Sequence, residues 1–450
     1  MSARILICAV LLGSALPVAA ADRTPPKIDT KRLVNESYSF RRNQEPDMTE
    51  DEYALYERVV TMVAAQPEFA LKLLETLTGS QQKSPAFEFV LGNVYFSNSR
   101  PDLAEQHYRA ALKLYPEFTR VWSNLGALLY GQGRYAEAAE CLMKTLAAGE
   151  RDAHLFGLLG YCLEKTGRPT AAEMNYLQAL GLEPENPDYL EGLLTIYYER
   201  KQYASAEVLL RQLIRLKPAE QKNWLLYGSI LTAQERPVEA IAILEAGNSL
   251  GALDADGLLV LSDLYAKQQF YPEAIGAFRQ LQKAAPTIGV EHLLGFVQSL
   301  IAARQWAPAE QALATLPVDL PSATRVVAEL TRADLALARG DAARAQEHVQ
   351  QALAIDPLNG RALLALGRLQ KEQGDIARAE GSLELAARHP EFTYRASLEL
   401  ADLAVKTHRY ARGLEFLEKA SALEKSDILA QYIARVRLLL PDRENNPSRP

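Results

Sequence analysis

Along this chain, apolar side chains recur at helical spacing in paired segments, and the pairs themselves repeat. Alanine returns every 34 residues, at Ala70, Ala104, Ala138, Ala172, Ala206, Ala240 and Ala274. Four residues after each stands an apolar partner: Leu74, Tyr108, Leu142, Tyr176, Leu210, Leu244 and Phe278. A period of this length, holding two helix-sized segments, predicts an array of helical hairpins. The register then slips: Ala309 lies 35 residues after Ala274, Ala345 lies 36 further on, and Ala379 and Gly413 follow at 34 each. The partner persists as Leu313, Val349, Leu383 and Leu417, which makes eleven units between about Asp51 and Asp427.

Within one unit the residue types have a physical reason. Leu91, Gly92 and Tyr95 share a face of the first helix. Ser97 to Arg100 form a turn, and the second helix carries Ala104, Tyr108 and Ala111 before Pro116. Glycine and alanine let two helices approach, while the larger Tyr95 and Tyr108 fill the grooves beside them. Proline stops the second helix because it lacks the backbone donor and restricts its predecessor. Pro184, Pro218, Pro286 and Pro357 stand at the matching place in other units.

These positions resemble the tetratricopeptide repeat. Trp122, Leu125 and Gly126 fit its first-helix pattern. Leu159, Gly160, Ala172, Tyr176, Ala179 and Pro184 fit both helices, and so do Trp224, Gly228 and Ala240. The resemblance implies an all-α, right-handed superhelical solenoid whose first helices line a concave face for partner proteins. It divides the chain into a regular array over 50–288, a degenerate unit over 289–325 and closing repeats over 326–440. In the degenerate unit, Pro317 and Pro321 are compatible with a bend or with a drifted repeat that packs normally. A helix near Asp427 to Leu440 would cap the array, since a terminal repeat needs its open end covered; residues 441–450 form a polar tail.

The ends carry other signals. Arg4, the apolar run Ile5 to Leu16 and small residues through Ala21 read as a secretory leader over residues 1–21. The run is shorter than the roughly 20 residues a spanning helix needs. Residues 22–49 have no helical period and read either as a spacer or as an arm that docks on a partner or on the array. Thr49 and Glu52 then form a capping-box pattern ahead of the first helix. The alanine-rich cleavage site points to a bacterial periplasm.

Charge and chemistry exclude several functions. The net charge is −7, and no basic face for nucleic acid is visible. His107, His154, His292, His348, His389 and His408 are scattered, with no pair spaced to bind metal from one helical face. No nucleophile elbow, zinc-type cysteine pair or phosphate loop appears; Gly131, Gln132 and Gly133 fit an inter-helix turn. Acidic residues fall on solvent faces. The expectation is therefore no enzyme, no metal and no cofactor. Two cysteines remain after the leader, Cys141 and Cys162, either bridged or as two buried thiols.

Partner-binding positions are those on first helices that packing does not demand. The register gives Phe89, Asn93 and Phe96, then Arg120, Asn124, Ala127 and Tyr130, then His154, Tyr161 and Glu164, then Asp188, Glu191, Thr195 and Tyr198. Exposed aromatics contribute strongly at interfaces, and the amides of Asn93 and Asn124 can bind an extended peptide backbone. Chaperone-binding members of the family clamp a terminal carboxylate with such asparagines plus cations; here Phe89 and Leu158 occupy two of the cation positions, so that clamp is not expected. Tyr38, Ser39, Phe40 and the stretch Thr49 to Val60 are similar to tetratricopeptide proteins proposed to accompany TonB-type energy-transduction systems. The expected role is an exported scaffold for envelope proteins or extended peptides. A periplasmic chaperone for outer-membrane or secreted clients and the periplasmic module of a polysaccharide-export system are the alternatives.

Overall fold

The computed structural model describes residues 84–440 and isolated positions before them. Apart from those isolated positions, the stretch read as a leader, the 22–49 segment with its capping box, the first predicted hairpin and the tail lie outside the described residues. Those residues hold 21 helices and no strand.

The chain divides into two compact units, the first ending at Ala252 and the second starting at Leu253. The first contains five described hairpins: α1 (Pro85–Ser97) with α2 (Pro101–Leu114), α3 (Thr119–Gly131) with α4 (Tyr135–Ala147), α5 (Ala153–Lys165) with α6 (Pro169–Leu182), α7 (Pro187–Glu199) with α8 (Tyr203–Leu216), and α9 (Gln221–Ala233) with α10 (Pro237–Ser249). The second contains α11 (Ala255–Lys267) with α12 (Tyr271–Ala284), α13 (Pro286–Ala302) with α14 (Trp306–Leu313), α15 (Ser322–Ala338) with α16 (Ala342–Ile355), α17 (Gly360–Glu372) with α18 (Ile376–Ala386), and α19 (Thr393–Lys406) with α20 (Tyr410–Leu423). The cap is α21 (Asp427–Arg437). Its Leu429, Ile433 and Val436 close over Ala401, Leu417 and Ala420.

The repeating alanines are the points of closest approach: Ala104, Ala138, Ala172, Ala206, Ala240 and Ala274 are all wholly buried. The first-helix glycines face the apolar side chain that follows each alanine. A Cβ on Gly92 would meet Tyr108, one on Gly126 Leu142, one on Gly160 Tyr176 and one on Gly228 Leu244. Each hairpin turn ends the first helix on a left-handed residue. At the second turn, Gly133 has φ +76°, its N–H donates to the Tyr130 carbonyl, and the Arg134 N–H donates back to Leu129, both at 2.9 Å. This double bond pattern satisfies the last carbonyls of α3 and makes the Gly131 to Gly133 stretch an inter-helix turn. Ser99, Lys201, Glu235, Gln269, Arg304 and His408 hold the same conformation without being glycine.

Two sequence expectations are refined. Pro286 does not follow a helix stop at a distance; it opens α13 directly after Ala285, a position that tolerates proline because its N–H is not needed. In the degenerate unit α13 lengthens to 17 residues while α14 shrinks to 8. Residues 314–321, with Pro317 and Pro321, replace the rest of that second helix.

Candidate functional site

The first-helix faces of the two units differ in chemistry. In the first unit, several expected groove residues turn out to be packing. Phe89 is wholly buried, with its ring centroid 5.0 Å from Phe118, and the Arg120 guanidinium lies 5.3 Å from the same ring. The physical reason is that the residue before α3 closes over α1. Asn93 and Asn124 are also buried, not displayed. The Tyr108 hydroxyl donates to Asn93 Oδ1 at 2.7 Å and Asn124 Nδ2 donates to the same oxygen at 2.8 Å. That polar ladder ties α2, α1 and α3 together. Ala127, Tyr130 and Tyr161 are buried as well; Tyr130, Tyr135 and Tyr161 form an edge-on cluster with centroids 5.5–5.9 Å apart.

The remaining positions stay half-buried: Phe96 on α1, Arg120 on α3, His154 and Glu164 on α5, and Asp188, Glu191, Thr195 and Tyr198 on α7. Glu164 accepts the Tyr176 hydroxyl at 2.8 Å. Glu191 accepts from Lys222 on the next first helix at 3.1 Å. Burial alone would lower the Lys222 pKa, but the Glu191 and Glu220 carboxylates outweigh it and raise it.

The second unit presents a charged ladder. Gln298 on α13 donates to Asp334 on α15, which also takes Arg361 from α17. Arg368 and Lys371 on α17 both reach Glu399 on α19, and Lys371 also donates to Asp402 at 2.9 Å. Asp263 on α11 has its carboxyl pushed up by burial, against the pull of His292 and Lys267.

Sequence reading missed a second ladder. Acidic residues placed on solvent faces include five glutamates that directly follow a repeat alanine and reach an arginine in the next hairpin. They are Glu105 with Arg134 (2.6 Å), Glu173 with Arg200 (2.6 Å), Glu207 with Arg236 (2.7 Å), Glu310 with Arg339 (2.9 Å) and Glu380 with Arg409 (2.8 Å). The signal was present as a Glu-to-Arg spacing of 27–29 residues. Trp122 and Trp224 also act between repeats: each indole N–H donates at 2.8 Å to the carbonyl of the proline six residues earlier, Pro116 and Pro218.

Among the described residues, no group of three or more His, Cys, Asp or Glu side chains is placed to hold a metal ion. No described helix is long and apolar enough to cross a membrane. Cys141 on α4 and Cys162 on α5 are free buried thiols.

Stacked hairpins with side chains presented along successive first helices define a helical-repeat binding array. A family model of the tetratricopeptide repeat matches residues 62–118, 89–153, 123–187, 163–220 and 364–427, and a second matches 336–391. The chain belongs to the tetratricopeptide repeat family, and such repeats serve as protein–protein interaction scaffolds. The type IV pilus assembly protein PilF of Pseudomonas aeruginosa is 29% identical over 119 residues, covering 26% of this chain and 47% of that protein. Protein O-mannosyl-transferase Tmtc3 of Drosophila melanogaster is 28% identical over 152 residues, covering 33% of this chain and 16% of that protein. The chain thus spans less than half the length of either relative. Among solved structures, Naa15/Naa10 bound to HypK-THB covers 85% of this chain and 65% of its own at 17% identity, with a TM-score of 0.39. Yeast Tom70 covers 89% and 98% at 13% identity, with a TM-score of 0.36.

Proposed function

We propose that this chain is an exported, non-enzymatic scaffold in a bacterial periplasm that grips an extended segment of an envelope protein on the first-helix face of its first unit. The observation that carries the reading is the mixed row Phe96, Arg120, His154, Glu191 and Tyr198, all half-buried, on the successive first helices α1, α3, α5 and α7. Half-exposed aromatic and charged groups in register offer both area and direction to a peptide. The leader-like run Ile5 to Leu16 supports export. The likeness to a pilus assembly protein fits an envelope setting, and the narrower role is that of an accessory to a TonB-type transport system.

The test is in-cell crosslinking of a tagged chain, with mass spectrometry of the captured proteins. One dominant envelope protein, lost in an Arg120→Ala, Glu191→Ala, Tyr198→Ala variant that melts like the parent, supports the scaffold. Capture unchanged in that variant sinks the groove assignment. A chaperone reading is favoured by the exposed apolar side chains Met174, Leu177 and Val208 on second helices. It requires many weak clients in place of one partner.

A further inference from the structure

The second unit contains a pocket of about 480 Å³ lined by three helices, α14, α15 and α16. That volume is within the roughly 300–1,000 Å³ of sites that hold compact ligands. The pocket stands beside the shortest described helix. α14 stops at Leu313 after 8 residues, where second helices such as α16 run for 14. Pro317 clashes with the carbonyl four residues before it, that of Leu313, and so opposes continuation of the helix; the chain turns after Ala314 and leaves one side of the space open.

The lining has a helical logic. Arg332, Leu335 and Ala336 on α15, with Arg339 at its C-cap, lie at the spacing of one helical face. Asp341, Arg344 and His348 present one side of α16, and Glu310, Leu313 and Ala314 close the α14 side. The floor is apolar and the walls carry three guanidinium groups. Each guanidinium spends few of its five N–H donors. Arg339 Nη1 holds Glu310 at 2.9 Å, Arg344 Nε approaches Asp341 at 3.4 Å, and Arg332 Nη1 holds Glu329. Glu329 is shared with His348 Nδ1 at 2.8 Å, which fixes the imidazole at the pocket wall. The ladder of the first-helix face leaves α15 elsewhere, through Asp334.

We infer that this pocket is a second docking site, taking a peptide segment in which an apolar side chain sits beside a carboxylate. The apolar side chain enters between Leu313, Leu335 and Ala336, and the carboxylate accepts from the spare donors of Arg339 and Arg344. Guanidinium groups favour this because they present parallel N–H bonds to a planar anion. A lone apolar peptide leaves those donors unused, and a purely acidic one leaves the floor wet.

The probe is a short capped peptide alternating glutamate and leucine, with its glutamine counterpart as control, titrated into the full chain at low ionic strength by fluorescence anisotropy. Saturable binding of the glutamate peptide is expected, weakened about tenfold or more by Arg339→Ala with Arg344→Ala. Ala314 is exposed, so Ala314→Trp narrows the mouth without disturbing the core, and it should abolish binding with the charges intact. The Arg120→Ala, Glu191→Ala, Tyr198→Ala variant should bind as the parent does, which separates this site from the first unit. Equal affinity for the glutamine peptide, insensitivity to both pocket variants, or no saturable binding overturns the proposal.

Discussion

The Tyr108 hydroxyl, wholly buried on α2, donates to Asn93 Oδ1 on α1, and the same oxygen accepts from Asn124 on α3. One side-chain carbonyl therefore fastens three helices across a hairpin boundary. Removing it takes the acceptor from two buried donors, a loss of about 1–3 kcal/mol for the two bonds together. Asn93→Ala should lower stability by at least that amount in urea unfolding. Tyr108→Phe deletes only one donor and keeps the Asn124 bond, so its cost should be nearer about 0.5–1.5 kcal/mol. Equal losses in the two variants would contradict the shared-acceptor geometry.

The Glu105–Arg134 staple predicts an acid-sensitive term. Burial pushes the Glu105 carboxyl up, but the Arg134 and Arg109 hydrogen bonds and charges outweigh it, and the net pKa is lowered from 4.5. A folded pKa below the unfolded one means that the contribution is complete above about 4.5 and is lost as pH falls through the lowered folded value. Glu105→Gln should flatten the fall of melting temperature in that acid range. The pair is partly exposed, so its loss at neutral pH should cost only about 0.2–1 kcal/mol.

How much of this was legible depends on whether a signal lives within one hairpin or between hairpins. The alanine register, the glycine opposite Tyr108 and the prolines after second helices are local packing rules, and all appear in the sequence as short fixed spacings. The thinning after Gly289 likewise appears as the shortened α14. Which first-helix aromatics line a groove is not local. Phe89, Tyr130 and Tyr161 share the outward register with Phe96 and Tyr198, yet Phe118 and Tyr135 from flanking segments bury them. The Glu-to-Arg staples escaped for the same reason: helical periodicity marks both residues as polar surface, and only the stacking of one hairpin on the next brings them together.

The glycine positions are not equivalent. A Cβ on Gly92 would lie 2.5 Å from the Tyr108 ring, which cannot yield because its hydroxyl is held by Asn93. On Gly228 the nearest atom is Leu244 Cγ at 3.3 Å, a contact that a shift of a few tenths of an ångström relieves. Gly92→Ala should cost about 1–3 kcal/mol as an overpacked site. Gly228→Ala should be near neutral, since alanine also favours the helix by roughly 0.8–1 kcal/mol over glycine. Thermal melts of the two variants distinguish a pinned aromatic ring from a leucine side chain that can give way.

The two thiols give the last prediction. Burial pushes Cys141 up to about 11 and Cys162 up to about 12. The thiolate is the reactive form, so at pH 8 only about a thousandth of Cys141 is ionised, against roughly a quarter for an ordinary thiol near 8.5. Both side chains are also shielded by the packing of α4 on α5. A native chain beginning at Asp22, which holds only these two cysteines, should therefore react slowly with a disulfide-exchange reagent at pH 8. Unfolding it without reductant should release two titratable thiols at once. If no thiol appears on unfolding, an oxidising compartment has bridged the pair, and α4 and α5 must have shifted to allow it.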